Sequence, residues 1–146
     1  MIDAGSVLDE RTLVVFEHAD AVILPVYPEV AALRSMRGLL DHLNETGSLA
    51  SKSTFVLNNM FARGTLKLRD VETALDTKIA LELPYDPILY LKAVNEGVPL
   101  VKGAPRSAPA EQLRLLAATA FAEAGAAVPA DRDRKARGLG ALLRRS

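Results

Sequence analysis

A chain of 146 residues with 49% apolar content is long enough for one compact domain and short for two. The absence of Cys excludes disulfides, thiol catalysis and thiolate metal sites, and the two His, His18 and His42, are too few for a metal cluster and fall on expected helix surfaces. No stretch approaches the roughly 20 apolar residues that span a bilayer and no charged region followed by an apolar one opens the chain, so the expected location is cytoplasmic.

The zero formal net charge conceals an asymmetry. Residues 129–146 hold six Lys or Arg (Arg132, Arg134, Lys135, Arg137, Arg144, Arg145) against two acids, Asp131 and Asp133, for a charge of +4; the other 128 residues carry twelve basic and sixteen acidic groups, for −4. A mildly acidic body offers no footprint for sequence-independent nucleic-acid binding. The expected organisation is a folded region over 1–127 and a basic, disordered tail over 128–146.

Met1-Ile2-Asp3 resembles the end of a strand whose beginning is missing, since an aspartate followed by Ala4-Gly5-Ser6 makes a strand-end loop. Asp9 and Glu10 then place acids where they complement a helix dipole, and Leu13, Phe16 and Ala19 recur at helical spacing, which predicts a helix to about His18. The continuously apolar Ala21-Val22-Ile23-Leu24-Pro25-Val26 predicts a strand, with pairing expected to end near Pro25 because it lacks a ladder donor. Pro28 and Glu29 suit the first turn of a helix that ends at Gly47. Its inward stripe is Val30, Leu33, Leu40 and Leu43, with Arg34, Arg37, Asp41 and Glu45 on the other side. A polar linker, Ser48 to Ser53, leads to Thr54-Phe55-Val56-Leu57-Asn58-Asn59, a short apolar run that stops at two carboxamides and predicts a strand buried on both faces. After Arg63-Gly64-Thr65, a helix is expected from about Arg69 to Leu75 with Val71, Ala74 and Leu75 facing in. Lys78-Ile79-Ala80-Leu81-Glu82-Leu83 alternates with period two and predicts a strand with one more exposed face. Leu83-Pro84-Tyr85-Asp86-Pro87 forms its carboxyl end, followed by a helix from Ile88 to Glu96, closed by Gly97 and stopped by Pro99. Leu113, Leu116, Ala117, Ala120, Phe121 and Ala124 mark a last amphipathic helix ending near Gly125. Every connection between strands is long enough for a helix, so the fold class is three-layer α/β. It has a mainly parallel sheet of three full strands plus an Ile2 stub, flanked by about five helices.

In open α/β sheets ligands sit outside the carboxyl ends of the strands. Asn58 is placed there, and its amide offers both a donor and an acceptor to the edge of a base or similar planar ligand; the competing reading is an Asn pair in a turn or helix cap. The phosphate loop G-x-x-x-x-G-K-[ST] is absent. Its nearest imitation, Lys52-Ser53-Thr54, has Ser51 and Thr46 where the glycines are required and precedes a strand when the motif must follow one, so it is expected to be a solvated linker. Neither G-x-G-x-x-G nor G-x-S-x-G occurs, so hydride transfer and serine hydrolysis lack their usual fingerprints.

Taken in order, six segments resemble the C-terminal half of ParA/MinD-type P-loop ATPases, most closely the pilus-assembly branch called CpaE or TadZ. They are Ile2-Asp3, Ala19-Asp20-Ala21-Val22-Ile23-Leu24, Pro28-Glu29-Val30, Phe55-Val56-Leu57-Asn58, Leu83-Pro84-Tyr85-Asp86 and Ala93-Val94-Asn95-Glu96-Gly97-Val98-Pro99. The resemblance implies ATP or ADP with Mg²⁺ as cofactors. It assigns Asp3 to the aspartate that ends the second Walker strand near the metal, Asn58 to the adenine contact, and Pro84, Tyr85 and Asp86 to the segment closing around the base. It also implies a homodimer that closes on ATP and works with pilus-assembly or other cell-positioning proteins. Asn95, Gly97 and Pro99 match a motif for which helix capping and termination suffice.

Two departures bear on activity. The family's phosphate loop and lysines lie upstream of the strand that here begins at Met1, and its switch loop usually carries a proline where this chain has Ala4-Gly5-Ser6. Without phosphate contacts ATP loses its charge-assisted interactions, so no catalytic residue is assigned and the chain is not expected to hydrolyse ATP alone. Asp3 has the alternative of an acid capping a helix or frayed in solvent. Ala136, Leu139 and Leu143 lie at helical spacing among arginines, so residues 132–146 have the alternative of binding a membrane surface peripherally, against which Gly138 and Gly140 weigh. The competing function is a nucleotide-independent interaction or scaffold domain. If Ile2 belongs to a central strand, an exposed sheet edge and self-association are expected.

Overall fold

The computed structural model describes residues 1–7, 9–46, 52–59, 61–62, 66–123 and 125. The first helix, α1 (Glu10–His18), starts at Asp9, whose Oδ1 accepts the Thr12 N–H at 2.9 Å. That bond has the largest part in holding the Asp9 carboxyl below its ordinary pKa. Strand β1 (Val22–Val26) follows, then α2 (Val30–Thr46) and β2 (Ser53–Asn58). Helix α3 (Leu68–Leu75), β3 (Leu81–Leu83), α4 (Pro87–Glu96), α5 (Leu100–Gly103) and α6 (Ala108–Glu123) complete the order.

The sheet is three-stranded and wholly parallel, in the order β1-β2-β3, with Pro25 opposite Val56 and Asn58 opposite Leu83. One face buries Val22, Leu24, Val26, Phe55 and Leu57 against Phe16 of α1, Leu33 and Leu43 of α2, and Val71 and Leu75 of α3. On the opposite face Val56 and Leu81 pack on Leu116 of α6. Strand β2 is therefore sandwiched, as its unbroken apolar run implies, and Val56 and Leu57 are each 1% exposed. Burying such a side chain contributes about 1.5–3 kcal/mol, so this strand anchors both layers. The α6 layer does not extend over β1, whose Ile23 and Pro25 stay exposed.

The α/β sandwich and the three parallel strands match the sequence-based expectation, with local corrections. Residues 1–5 are not part of the sheet: Ile2 is 71% exposed, and the segment is tethered by local bonds, Gly5 N–H to Asp3 Oδ1 at 3.0 Å and Thr12 Oγ1 to the Val7 carbonyl at 2.8 Å. Pairing does not end near Pro25 but runs on to Val26 opposite Leu57. The reason lies in the pleat. Phe55 presents its carbonyl to Ala80 N–H (2.9 Å), so Thr54 and Val56 turn toward β1 and bond residues 22, 24 and 26; Pro25 faces the open edge, where no ladder donor is lost.

Strand β3 is shorter than its alternation predicts, because Glu72 accepts the Ile79 N–H at 3.2 Å and Lys78 Nζ at 3.1 Å and holds that approach off the ladder. The same bonds keep the Glu72 carboxyl below its ordinary pKa, the Ile79 N–H having the larger effect. Val30 and Ala74 are exposed rather than inward, and α5 follows Pro99 directly where only a helix stop is expected. Lys52 is no solvated linker residue either. Its ammonium donates to the Glu17 and Ala19 carbonyls at 2.8 and 2.9 Å, closing the C-terminus of α1, while Ser53 and Thr54 already belong to β2. The expected end of the last helix near Gly125 agrees with α6 ending at Glu123, with Gly125 beyond it at a φ of +64°; the end of α2 at Gly47, the boundary at 127/128 and the basic tail lie outside the described residues. Among the described residues, no helix is long and apolar enough to cross a membrane.

Candidate functional site

Parallel strands bring all their carboxyl ends to one side, and the register of β2 with β3 places Asn58 beside Leu83, the residue that opens the Pro84-Tyr85-Asp86 loop. Strand alternation puts Asn58 on the same face as Val56. Its side chain is half-buried and makes no hydrogen bond to the described residues. Asn59 behaves differently: its N–H extends the ladder to the Leu83 carbonyl at 3.2 Å, and Nδ2 donates to Glu82 Oε2 at 3.3 Å. The two adjacent carboxamides are thus divided between a structural one and one whose donor and acceptor are unspent among the described residues.

The loop that Leu83 opens is held at both ends. Asp86 is the N-cap of α4, with Oδ1 accepting the Leu89 N–H at 3.1 Å, and Pro87 follows at the first helical position, where a missing N–H costs nothing. Tyr90, one turn on, donates its hydroxyl to the Pro84 carbonyl at 3.3 Å. Burial raises the Tyr90 pKa, and the nearby Asp86 charge adds to the effect. Tyr85 remains exposed at the tip. The far end of α4 stops at Gly97, whose φ of +62° lies in the left-handed region and lets the Val98 N–H return to the Ala93 carbonyl at 3.1 Å. Gly97 and Pro99 thus occupy the structural positions the sequence implies, whereas Asn95 is an exposed helix residue that caps nothing.

The register places Asn58 opposite Leu83, the residue before Pro84, and Pro84 has a hydrogen-bond partner in Tyr90 that pattern reading missed. The available signal for Tyr90 was its place four residues after a capping aspartate. Asp3 is exposed, with one carboxylate oxygen accepting the Gly5 N–H, and no hydrogen bond or ion pair links it to Asn58 or the 84–86 loop among the described residues.

The donor set decides which parts of a nucleotide the residues fit. Among the described residues no group of three His, Asp or Glu side chains converges. Lys52, the only lysine near a phosphate-loop-like sequence, is committed to α1. A planar heterocycle is a better match: Asn58 offers one donor and one acceptor beside a loop whose shape is set by Asp86 and Tyr90.

No protein-family profile and no curated protein matches this chain. A solved structure of a ParA family ATPase from Chlorobium tepidum TLS aligns with a TM-score of 0.66 at 22% identity, covering 73% of this chain. This chain spans 45% of that protein's length. The three-stranded parallel sheet with flanking helices is therefore a fold shared with part of a ParA family ATPase.

Proposed function

We propose that this chain is the adenine-side portion of a ParA/MinD-like nucleotide-binding protein and that it does not turn over ATP by itself. The observation that carries the reading is the Asn58 amide, without a hydrogen-bond partner among the described residues, at the carboxyl end of the sandwiched strand and in register with the residue that opens the 84–86 loop. The fold likeness to a ParA family ATPase supports it. Asn58 Nδ2 donates to a ring nitrogen of the base and Oδ1 accepts from its exocyclic amine, while the 84–86 loop, fixed by the Tyr90 hydroxyl, lies along the base edge. Phosphates and metal find no cradle among the described residues. Within the wider family we favour the CpaE/TadZ pilus-assembly branch, with pilus-assembly components as partners, a cytoplasmic location and a peripheral membrane contact through residues 132–146.

Equilibrium dialysis with labelled ATP, competed by adenosine, tests the base-binding step. Weak binding with a Kd on the order of 1 mM is expected. Adenosine should compete as well as ATP, Asn58→Ala should weaken both about fivefold, and Mg²⁺ should change nothing. ATP binding far tighter than that of adenosine, or binding indifferent to Asn58→Ala, refutes the proposal.

A second reading, a nucleotide-independent interaction domain, is favoured by one observation: α4 buries no residue and exposes Ile88, Leu91 and Val94. Failure to bind adenosine at all would make this the better account.

A further inference from the structure

The last turns of α2 and α3 border a cleft of about 180 Å³ beside Ser53, the first residue of β2. It lies at the other end of that strand from Asn58. Its floor is apolar, since Leu43 of α2, Phe55 of β2 and Leu75 of α3 are all buried. Its rim is polar. Asn44, Asp76 and Thr77 stand there, and their side chains make no hydrogen bond to the described residues. A cavity of about 150 Å³ accommodates a six-carbon ring and drug-sized ligands need about 300 Å³ or more, so the volume suits a stem of about five non-hydrogen atoms and excludes a nucleotide.

The charge the cleft favours follows from which groups are already spent. Arg37 donates Nε to Asp41 Oδ1 at 3.0 Å and a second nitrogen to the Leu75 carbonyl at 3.2 Å, so the guanidinium and Asp41 offset each other. The lysines next to lining residues are committed elsewhere, Lys52 to the carbonyls of α1 and Lys78 to Glu72 at 3.1 Å. What remains is the Asp76 carboxylate, together with the C-termini of two helices whose last turns hold no basic residue. Each helix end contributes roughly half a negative charge, so with Asp76 the cleft carries roughly two over its apolar floor. An anion is repelled there, and a neutral molecule leaves that charge unanswered. We propose that the cleft binds a primary aliphatic ammonium ion, with its stem on Leu43, Phe55 and Leu75 and its N–H donors shared among Asp76, Thr77 and Asn44. An ammonium has three donors and no acceptor, which the three unspent side-chain oxygens match. Asp76 is held in place by its backbone: it is the C-cap of α3, in the left-handed region at a φ of +51°, with its N–H on the Glu72 carbonyl.

Titrating the isotope-labelled full chain with n-butylammonium chloride, followed by amide NMR, tests the site. Saturable shifts are expected at Asn44, Asp76 and Thr77, with a Kd on the order of 5 mM, and none at Asn58. Butanol and butyrate have the same stem without the cation, and neither should saturate. Asn tolerates the left-handed backbone, so Asp76→Asn should keep the wild-type melt while binding falls at least fivefold. Two sources present this ammonium, a free diamine and a lysine side chain. Tighter binding of 1,4-diaminobutane than of a lysine blocked at both backbone ends assigns the diamine, and the reverse order assigns a lysine; either result supports the site. No saturable shift well above the expected Kd, butanol or butyrate binding as well as the amine, or Asp76→Asn binding like wild type would each overturn the proposal. It stands independently of the base-binding reading, because amine binding is read at Asp76 and adenosine binding through Asn58.

Discussion

Replacing Asp86 in two ways separates its roles in geometry and charge. Its Oδ1 accepts the Leu89 N–H at 3.1 Å and satisfies one of the orphan donors at the start of α4. Losing such a cap costs about 1 kcal/mol, so Asp86→Ala should lower the melting temperature by about 3–4 °C in a chain of this size. Asn caps as well as Asp does, so Asp86→Asn should cost no more than about 0.5 kcal/mol, the part due to the favourable meeting of a carboxylate with the helix dipole. The charge has a second readout. Tyr90 is raised above its ordinary value of 10.0 first by burial and then by Asp86, so in Asp86→Asn its titration, followed by near-ultraviolet absorbance, should move back toward that value without reaching it. The sign of the associated stability follows from a folded pKa above the unfolded one. Tyr90 contributes fully below pH 10, and the contribution is lost as pH rises through the folded pKa, with the loss complete at lower pH in the Asn variant. An Asp86→Ala melt indistinguishable from wild type, an Asn variant as unstable as the Ala variant, or an unmoved Tyr90 titration would refute this account of the loop.

Three further outcomes are expected. Leu57→Ala removes a side chain that is 1% exposed at the centre of the main core and should cost about 3 kcal/mol in urea unfolding, whereas a loss under 1 kcal/mol would mean that β2 is not the anchor of both layers. Lys52→Met strips the cation from the end of α1, leaving the Glu17 and Ala19 carbonyls without it, and should cost about 1 kcal/mol, measured by thermal melts. Asp9 and Glu72 both have depressed pKa values, so their contribution is present at neutral pH and lost as pH falls through the ordinary carboxylate range near pH 4 and below. Asp9→Asn, which keeps the cap but cannot titrate, should flatten that acid-side slope, and an unchanged slope would exclude the Thr12 N–H bond as its source.

What was legible in the sequence was whatever local chemistry decides. The run Thr54 to Leu57 declares a strand buried on both faces because an exposed face would carry polar residues, and the structure covers it from both sides. Asp86, Pro87 and Gly97 delimit α4 because each suits one helix-end conformation. What stayed hidden depends on partners distant in the chain. Ile2 has strand-like neighbours yet stays exposed and off the sheet; Val30 and Ala74 fit their helical stripes, yet no described residue buries them. Whether a lysine is solvated depends on what lies within its reach, and nothing near Lys52 in sequence announces two carbonyls from α1. The candidate site divides along the same line: Asn58 stands out because two amides end an apolar run, whereas the Tyr90 bond to Pro84 appears only once the first turn of α4 folds back over the loop.

The strand order carries a consequence for how this chain assembles. Each strand pairs with its immediate predecessor, β2 on β1 and β3 on β2, so during synthesis no strand waits for one made much later. The exception is the second face of the sheet, where Val56 and Leu81 find their cover only in Leu116, more than thirty residues after β3. Until α6 emerges, the growing chain has one finished face and one wet one, and chaperone contact should concentrate in that interval. Nascent chains arrested before Ala108 should bind a hydrophobic dye that chains extended beyond Glu123 do not.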